Sequence, residues 1–239
     1  MSAPATRVPP WWPVLGVVAL LAFSNVMTNR VLPSPAYVPW GVAMTLMLVG
    51  AARADGCGWV DLGLSRDRLR AGIGWGLSVF ALVGIGYLVA VALPPTRELF
   101  DDGRVHGTGI GGALYQVGVR IPLGTVLIEE AAFRGVVLAM VARRTGIAWG
   151  VAVSSVLFGL WHVLPAWGIE DTNPVLDDIL GEGAGPVVAM VGAVVGTGLA
   201  GVVFCWLRLR SGSLLAPMML HAATNSLGFL VAWLYLEGL

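Results

Sequence analysis

Five ionisable side chains stand inside stretches of the sequence that are otherwise apolar enough to cross a membrane. They are Glu129, Glu130, Arg134, His162 and His221. An ionised side chain at the bilayer centre costs about 2.5–3.5 kcal/mol on insertion scales, so such residues usually face a polar interior and mark function. Carboxylates and imidazoles are also common general acids and bases. The five residues predict a catalytic or transport site rather than a polar network that only holds helices together.

The spacing within the first of these stretches distinguishes its two carboxylates. Glu130 and Arg134 are four residues apart, which places them on one helix face with the acid N-terminal to the base, the favourable order for an ion pair. Glu129 lies about 100° around the helix from Glu130 and has no such partner on its own helix. We therefore expect Arg134 to neutralise Glu130 and leave Glu129 available as a general base.

Two further pairs of residues are separated by four positions and so share a helix face. Phe158 precedes His162, and His221 precedes Asn225. An imidazole and a carboxamide one turn apart can both donate hydrogen bonds to one oxygen, as an oxyanion site requires. A single histidine on a helix is more often a core residue whose hydrogen bonds are satisfied. Two histidines and an unpaired glutamate on three helices instead favour a functional site. The third histidine, His106, falls in a charged loop where we expect it to be solvated.

The elements that must position these residues are transmembrane helices. The chain has 239 residues, of which 57% are hydrophobic and 12% are charged, and its 14 acidic and 14 basic residues cancel. Soluble domains carry about 25% charged residues, and the mean hydropathy here is +0.82. This composition excludes a water-soluble globule, a disordered chain and a nucleic-acid binder that relies on net positive charge. It predicts an all-α, polytopic transmembrane helix bundle.

Runs of roughly 20 apolar residues, the length that a span needs, predict about seven spans, within a range of six to eight. We divide the chain into residues 1–110, with three N-terminal spans, and residues 111–239, a catalytic core with four. A loop is expected around Gly107–Val119, including Gly109 to Gly112, with the alternative that an extra half-helix in this loop inverts the later part of the topology. His162 and His221 fall at different depths in their spans, so a shared site requires tilted helices, broken helices or shifted span boundaries, with Pro122 and Pro217 as candidate break points. The seven apolar runs that predict the spans cover residues 11–28, 37–52, 71–93, 121–142, 146–163, 184–207 and 213–236.

The arginines predict how the chain lies in the membrane. With seven spans and a cytoplasmic N-terminus, nine arginines fall on the cytoplasmic side and three on the other, where the acidic loop also lies. The sequence thus predicts a multi-pass protein of the cell (plasma) membrane with its N-terminus in the cytoplasm. The two cysteines, Cys57 and Cys205, are expected to be structural thiols. The nine arginines on the cytoplasmic side are Arg7, Arg53, Arg66, Arg68, Arg70, Arg143, Arg144, Arg208 and Arg210. The three arginines on the other side are Arg30, Arg97 and Arg104. The acidic loop holds Glu170, Asp171, Asp177, Asp178 and Glu182.

Three short motifs resemble those of a known family. The segment from Glu129 to Gly135, EEAAFRG, resembles its E-E-x-x-F-R-G motif. The segment FGLWH, which ends at His162, matches F-x-x-x-H, and HAATN, which begins at His221, matches H-x-x-x-N. In this order, and each on a predicted span, they make the chain similar to the CPBP family, the CAAX-protease and bacteriocin-processing (Abi-like) intramembrane proteases. The resemblance covers roughly residues 122–228.

The resemblance implies a helical membrane fold with a water-accessible cavity and an endopeptidase activity on a membrane-associated or peptide substrate. In that scheme Glu129, together with His162, activates a water molecule that attacks the peptide carbonyl. His221 and Asn225 match the residues that stabilise the oxyanion. The residues that match supporting positions are Glu130, Arg134 and Phe158.

The expected partners are a peptide or membrane-protein substrate and the lipid bilayer, with no nucleic acid. We expect no cofactor, although the chemistry permits zinc: Glu129, His162 and His221 could ligate it and leave one coordination position open. The tight H-E-x-x-H spacing of common zinc peptidases is absent. A metal-independent glutamate protease is therefore the preferred interpretation.

Two other classes of function remain as alternatives. The first is a non-catalytic membrane protein of the same family that acts in bacteriocin immunity or as a scaffold for a partner. The complete motif set disfavours it, because a scaffold would be free to lose Glu129 or His162. The second is a transporter or proton relay that uses the same buried acids and histidines. Such a protein would be expected to show inverted repeats with broken helices, and the sequence shows none.

Overall fold

The structure, a computed structural model, describes residues 9–167 and 185–237, and this part of the chain is helical without a β-strand. The predicted all-α polytopic bundle is confirmed. Arg7 and the expected acidic loop (Glu170, Asp171, Asp177, Asp178 and Glu182) lie outside the described residues. The long helices are α1 (Trp12–Val31), α2 (Ser34–Ala54), α3 (Arg66–Ala92), α4 (residues 110–145), α5 (Ile147–Trp161), α6 (Gly185–Ser211) and α7 (Leu215–Leu236).

The seven helices differ in how well they suit a bilayer. Helices α1, α2, α3, α6 and α7 are long and apolar enough to cross it. Helix α5 is apolar but has only 15 residues, a rise of about 22 Å, which is less than the roughly 30 Å of a hydrocarbon core. It therefore ends within the depth of the bundle. Helix α4 contains Glu129, Glu130 and Arg134 and lies at the centre, since its residues 128–141 are all buried.

Helix α4 begins earlier than the sequence suggested. It is helical from Ile110, so the loop expected around Gly107–Val119 is wrong from that residue onward. Glycine lowers helix propensity by about 1 kcal/mol per residue, which made the glycines up to Gly112 look like a loop. Burial outweighs that cost, because Ala113 packs in an apolar cluster with Val105 and Trp233.

Neither proline breaks a helix, contrary to expectation. Residues Gln116–Val126 of α4 form a π-helix that continues through Pro122. Pro122 has no N–H to donate to the carbonyl five residues earlier, that of Val117, and this carbonyl accepts a hydrogen bond from Ser226 Oγ of α7 instead, at 3.1 Å. Pro217 lies in the first turn of α7, where the backbone N–H has no intrahelical partner. The bundle therefore satisfies the backbone that each proline would otherwise leave unpaired.

One end of the bundle is tied together by buried arginines. Arg144 donates hydrogen bonds from Nη1 and Nη2 to the two carboxylate oxygens of Asp55, at 2.8 and 2.7 Å, and from Nη2 to the carbonyl of Pro10, also at 2.7 Å. Arg208 donates to the carbonyls of Val60 and Asp61, at 3.0 and 2.9 Å. These contacts join the chain before α1, the α2–α3 connection and the ends of α4 and α6. Arg144 and Arg208, which the sequence assigns to one side, thus lie at one end of the bundle.

The two cysteines are both free and buried, as expected of structural thiols. Cys57 lies in the α2–α3 connection, and burial raises the pKa of its thiol above the ordinary value. Cys205 lies in α6 against Ser154 of α5, with the two side-chain heteroatoms 3.7 Å apart.

Candidate active site

Helix α4 places two adjacent carboxylates in the middle of the bundle, and Glu130 is the one that is neutralised. Its Oε1 accepts a hydrogen bond from Arg134 Nη1 at 3.1 Å, the contact expected from their spacing. The same oxygen lies 2.8 Å from His221 Nδ1. The side chains of Glu130 and Arg134 are fully buried. Glu130 is therefore committed to an ion pair on its own helix and to an imidazole of α7.

Aromatic rings enclose the buried guanidinium of Arg134. Its Cζ lies 3.8 Å from the ring centroid of Phe158 and 4.6 Å from that of Phe204. Cation–π attraction is strongest where the cation is desolvated, as it is here. Phe204 also stacks on the ring of His221, with centroids 5.4 Å apart and an interplanar angle of 28°. The two phenylalanines thus hold in place both partners of Glu130.

Glu129 has a different environment. Its Oε1 accepts a hydrogen bond from Trp161 Nε1 at 3.0 Å, while its Oε2 is buried and has no hydrogen-bond partner among the described residues. Two imidazole nitrogens approach Oε2: His162 Nε2 at 3.9 Å and His221 Nε2 at 3.8 Å. The structure therefore brings together the glutamate that spacing left unpaired and the two histidines of helices α5 and α7.

The backbone fixes the proton on His162. Nδ1 of this ring lies 2.8 Å from the carbonyl oxygen of Phe158. Because a carbonyl only accepts, Nδ1 carries the hydrogen, and the neutral ring presents a lone pair on Nε2 towards Glu129. His162 immediately follows the last residue of α5, so the end of this short helix sets the depth of its imidazole.

A cavity of about 1050 Å³ adjoins this cluster and is lined by Glu129, His162 and Asn225, among others. Asn225 is exposed to it. The Oδ1 of Asn225 lies 3.4 Å from Thr224 Oγ1, and no described residue accepts a hydrogen bond from its Nδ2. His221 is 4% exposed and is not among the residues that line the cavity. Asn225 is thus the member of its pair that meets the cavity directly.

Two aromatic residues of the site were not predicted from the sequence. Trp161 supplies the hydrogen bond to Glu129, and its own carbonyl accepts one from Asn25 Nδ2 at 2.9 Å. Its position beside His162, inside the FGLWH motif, was a usable signal, because a buried indole N–H needs an acceptor. Phe204 lies in an uncharged apolar run, where nothing distinguishes it from residues that face lipid.

The geometry does not fit zinc at the residues expected to hold it. Ligand atoms about 2.0 Å from a tetrahedral zinc ion lie about 3.3 Å apart, whereas Glu129 Oε2 is 3.9 Å from His162 Nε2 and 3.8 Å from His221 Nε2. No group of three or more His, Cys, Asp or Glu side chains placed to hold a metal ion occurs in residues 9–167 and 185–237.

Comparison with known protein families places the motif-bearing part of the chain in a described family. The family model described as type II CAAX prenyl endopeptidase, Rce1-like, matches residues 112–227. That range contains all of the motifs singled out above. No curated protein and no solved structure matches the chain.

Proposed function

Since this chain belongs, through residues 112–227, to the Rce1-like family of type II CAAX prenyl endopeptidases, we propose that it is an intramembrane endopeptidase in which Glu129 and His162 activate water. The family supports protease activity in general, and the assignment of roles is ours. One observation carries it: Glu129 presents an unpartnered Oε2 between two imidazole nitrogens at the wall of a large cavity.

The distances suit a water molecule held between Glu129 and His162. At 3.9 Å, Oε2 and Nε2 are too far apart for a direct hydrogen bond, but one water can bridge a separation of this size. In the proposed first step the oxygen of that water bonds to the carbonyl carbon of the scissile peptide, and one water proton passes to Glu129. A positioned general base of this kind contributes typically 10²- to 10⁴-fold to the rate.

The negative charge that develops on the carbonyl oxygen needs hydrogen-bond donors. Asn225, which lines the cavity, is the first donor through its Nδ2. His221, whose Nε2 lies 3.8 Å from Glu129 Oε2, is the second when that nitrogen carries a proton. In the next step the C–N bond breaks, and the proton held by Glu129 moves to the leaving amine, which restores the carboxylate. Loss of a single oxyanion donor typically costs about 10²- to 10³-fold in kcat.

The pair Glu130 and Arg134 supports the site without contacting the reacting atoms. Glu130 accepts from Nδ1 of His221 and thereby aims Nε2 of that ring at Glu129. Arg134 donates to Glu130 and compensates its charge, because an unpaired charge at this depth would be costly. These two residues act through His221, so they are positioning residues.

Glu129→Gln tests the proposal. The substitution keeps the size of the side chain and its ability to accept from Trp161 but removes the base. We expect hydrolysis of a fluorogenic peptide library in proteoliposomes to fall by at least about 10²-fold, with unchanged thermal unfolding. Glu98→Gln, at an exposed acid in the α3–α4 connection, is the matched control and should retain full activity.

Two results would contradict the proposal. Near-normal hydrolysis by Glu129→Gln would show that this residue is not the base. A wild-type protein that cleaves no peptide but carries ions or solutes across the same vesicles would instead support the transporter alternative. If Glu129→Gln does abolish hydrolysis, comparison of protein termini between cells that express the wild-type protein and cells that express this variant would identify the substrates.

A further inference from the structure

Arg120 lines the same cavity as Glu129 and His162 but takes no part in the chemistry proposed for them. Its side chain is half-buried. Its one hydrogen bond to a described residue runs from Nη1 to Gln116 Oε1 and is long, at 3.4 Å, and its buried Nε has no partner. No carboxylate within the described ranges lies within ion-pair distance of it. An arginine that faces a cavity in this way lacks the counter-charge that buried cations normally have.

The surrounding residues hold the guanidinium in place. Its Cζ lies 4.2 Å from the ring centroid of Tyr37 of α2. The Tyr37 hydroxyl is in turn hydrogen-bonded to Thr125 Oγ1 at 2.9 Å. Glycine at position 124 leaves room for the Tyr37 ring, since a Cβ at that position would lie 2.5 Å from it. The guanidinium is therefore oriented before any ligand arrives, which lowers the entropic cost of binding.

The π-helical part of α4 brings Arg120 and Glu129 to one cavity. Nine residues make about two and a half turns of an α-helix, which would place the two side chains on opposite faces. Residues Gln116–Val126 instead follow the wider i→i+5 pattern, and both residues line the same cavity. Along the helix axis the two residues are separated by at most about 13 Å, the length of about four extended peptide residues.

We propose that Arg120 binds a carboxylate of the peptide substrate and so determines which peptides the cavity accepts. The inference rests on the function proposed above for Glu129. A guanidinium presents a rigid fork that matches a carboxylate through two parallel hydrogen bonds. The carboxylate comes either from the C-terminus of the peptide or from an acidic side chain, and both sources have the same chemistry.

Binding to a non-cleaving protein tests the proposal without depending on catalysis. Glu129→Gln protein in nanodiscs of zwitterionic lipid would be titrated with dye-labelled eight-residue peptides of one sequence. The set comprises a peptide with a free C-terminus, its C-terminal amide, and two amides that carry Asp or Asn four residues from the end. We expect the preferred carboxylate to tighten binding roughly 10- to 100-fold over its neutral counterpart.

Substitution of Arg120 identifies the group responsible for that preference. Arg120→Gln in the same background should abolish the difference between the acidic and the neutral peptide, whereas Arg120→Lys should retain part of it through charge alone. Arg97→Gln is the matched control: Arg97 is an exposed arginine of the α3–α4 connection that does not line the cavity, and its loss should leave the preference intact. Because each preference is a ratio within one variant, a lower yield does not affect it.

The outcomes distinguish this inference from the proposed function. Equal binding of acidic and neutral peptides, or a preference that survives Arg120→Gln, overturns the role of Arg120 even if Glu129-dependent hydrolysis is found. A carboxylate preference that requires Arg120 supports the binding site even if the assigned base proves wrong. A preference for the free C-terminus and a preference for the internal Asp identify the two sources of the carboxylate, and either one supports the proposal.

Discussion

Glu129 and Glu130 are neighbours in the sequence, yet the packing around them gives the two carboxylates opposite environments. Glu130 accepts from Arg134 and lies beside His221 Nδ1, so two partners hold its Oε1 in position. Glu129 is held at one oxygen by Trp161 and presents the other towards two imidazoles. Glu129 lines the cavity, where its carboxylate can exchange a proton with a bound water. Glu130 does not line the cavity: its Oε1 is held by Arg134 and His221, and its Oε2 is buried without a partner among the described residues.

Glu130→Gln should therefore destabilise the protein. The substitution leaves the buried guanidinium of Arg134 without its ionised partner and removes the charge beside His221. Breaking a buried pair from one side typically costs about 3–5 kcal/mol, so we expect a lower unfolding temperature and a lower yield of monodisperse protein in detergent.

Asp67→Asn, at an exposed acid in the first turn of α3, removes the same charge and is the control, with no expected change in unfolding temperature. A Glu130→Gln protein that is as stable as wild type but inactive would contradict the division of roles, since it would make Glu130 part of the chemistry.

At the scale of the helices, the sequence predicted the features that depend on local spacing. The ion pair between Glu130 and Arg134 and the apolar spans follow from periodicity alone. The start of α4 at Ile110 and its passage through Pro122 do not, because they depend on partners from distant helices, such as the Ser226 hydroxyl that bonds the Val117 carbonyl. The sequence also left open how His162 and His221 meet, since the early end of α5 depends on packing.

Close packing of α5 on α6 sets the position of the segment that bears His162. A Cβ added to Gly159 would lie 2.6 Å from the carbonyl oxygen of Val194, a backbone atom that cannot move alone. Gly159→Ala should therefore push the two helices apart, at a cost of about 1–3 kcal/mol typical of overpacking. We expect a lower unfolding temperature and reduced hydrolysis, because the following residues, Trp161 and His162, move with the helix.

Gly196→Ala on α6 is the matched control for this prediction. A Cβ there would have no heavy atom within 4 Å, and alanine favours a helix over glycine by up to about 1 kcal/mol. We therefore expect Gly159→Ala to lower the unfolding temperature and Gly196→Ala to leave it unchanged or raise it. If Gly159→Ala proved as stable and as active as Gly196→Ala, the contact between α5 and α6 would not position the site.

At the scale of the whole molecule, the cavity and the buried arginines Arg144 and Arg208 lie at different ends. The arginine-rich end contains the Arg144–Asp55 ion pair and the Arg208 contacts to the α2–α3 connection. The cavity instead extends to the other end, where Asn29 near the end of α1, Leu99 of the α3–α4 connection and Ala166 beyond α5 line it. Positively charged ends of membrane proteins usually stay in the cytoplasm. The cavity is therefore expected to open away from the cytoplasm, towards exported or extracytoplasmic peptides.

Cysteine labelling in intact cells tests this orientation. Cys57 and Cys205, both buried, would be replaced by Ala, and one cysteine would be introduced at each end, by Arg97→Cys or by Asp67→Cys. With a membrane-impermeant maleimide we expect Arg97→Cys to be labelled in intact cells and Asp67→Cys only after permeabilisation, with peptide hydrolysis retained by both. The reverse pattern would place the arginine-rich end outside and the mouth of the cavity in the cytoplasm. Peptides supplied outside intact cells should then escape cleavage, whereas the orientation proposed here requires that they be cut.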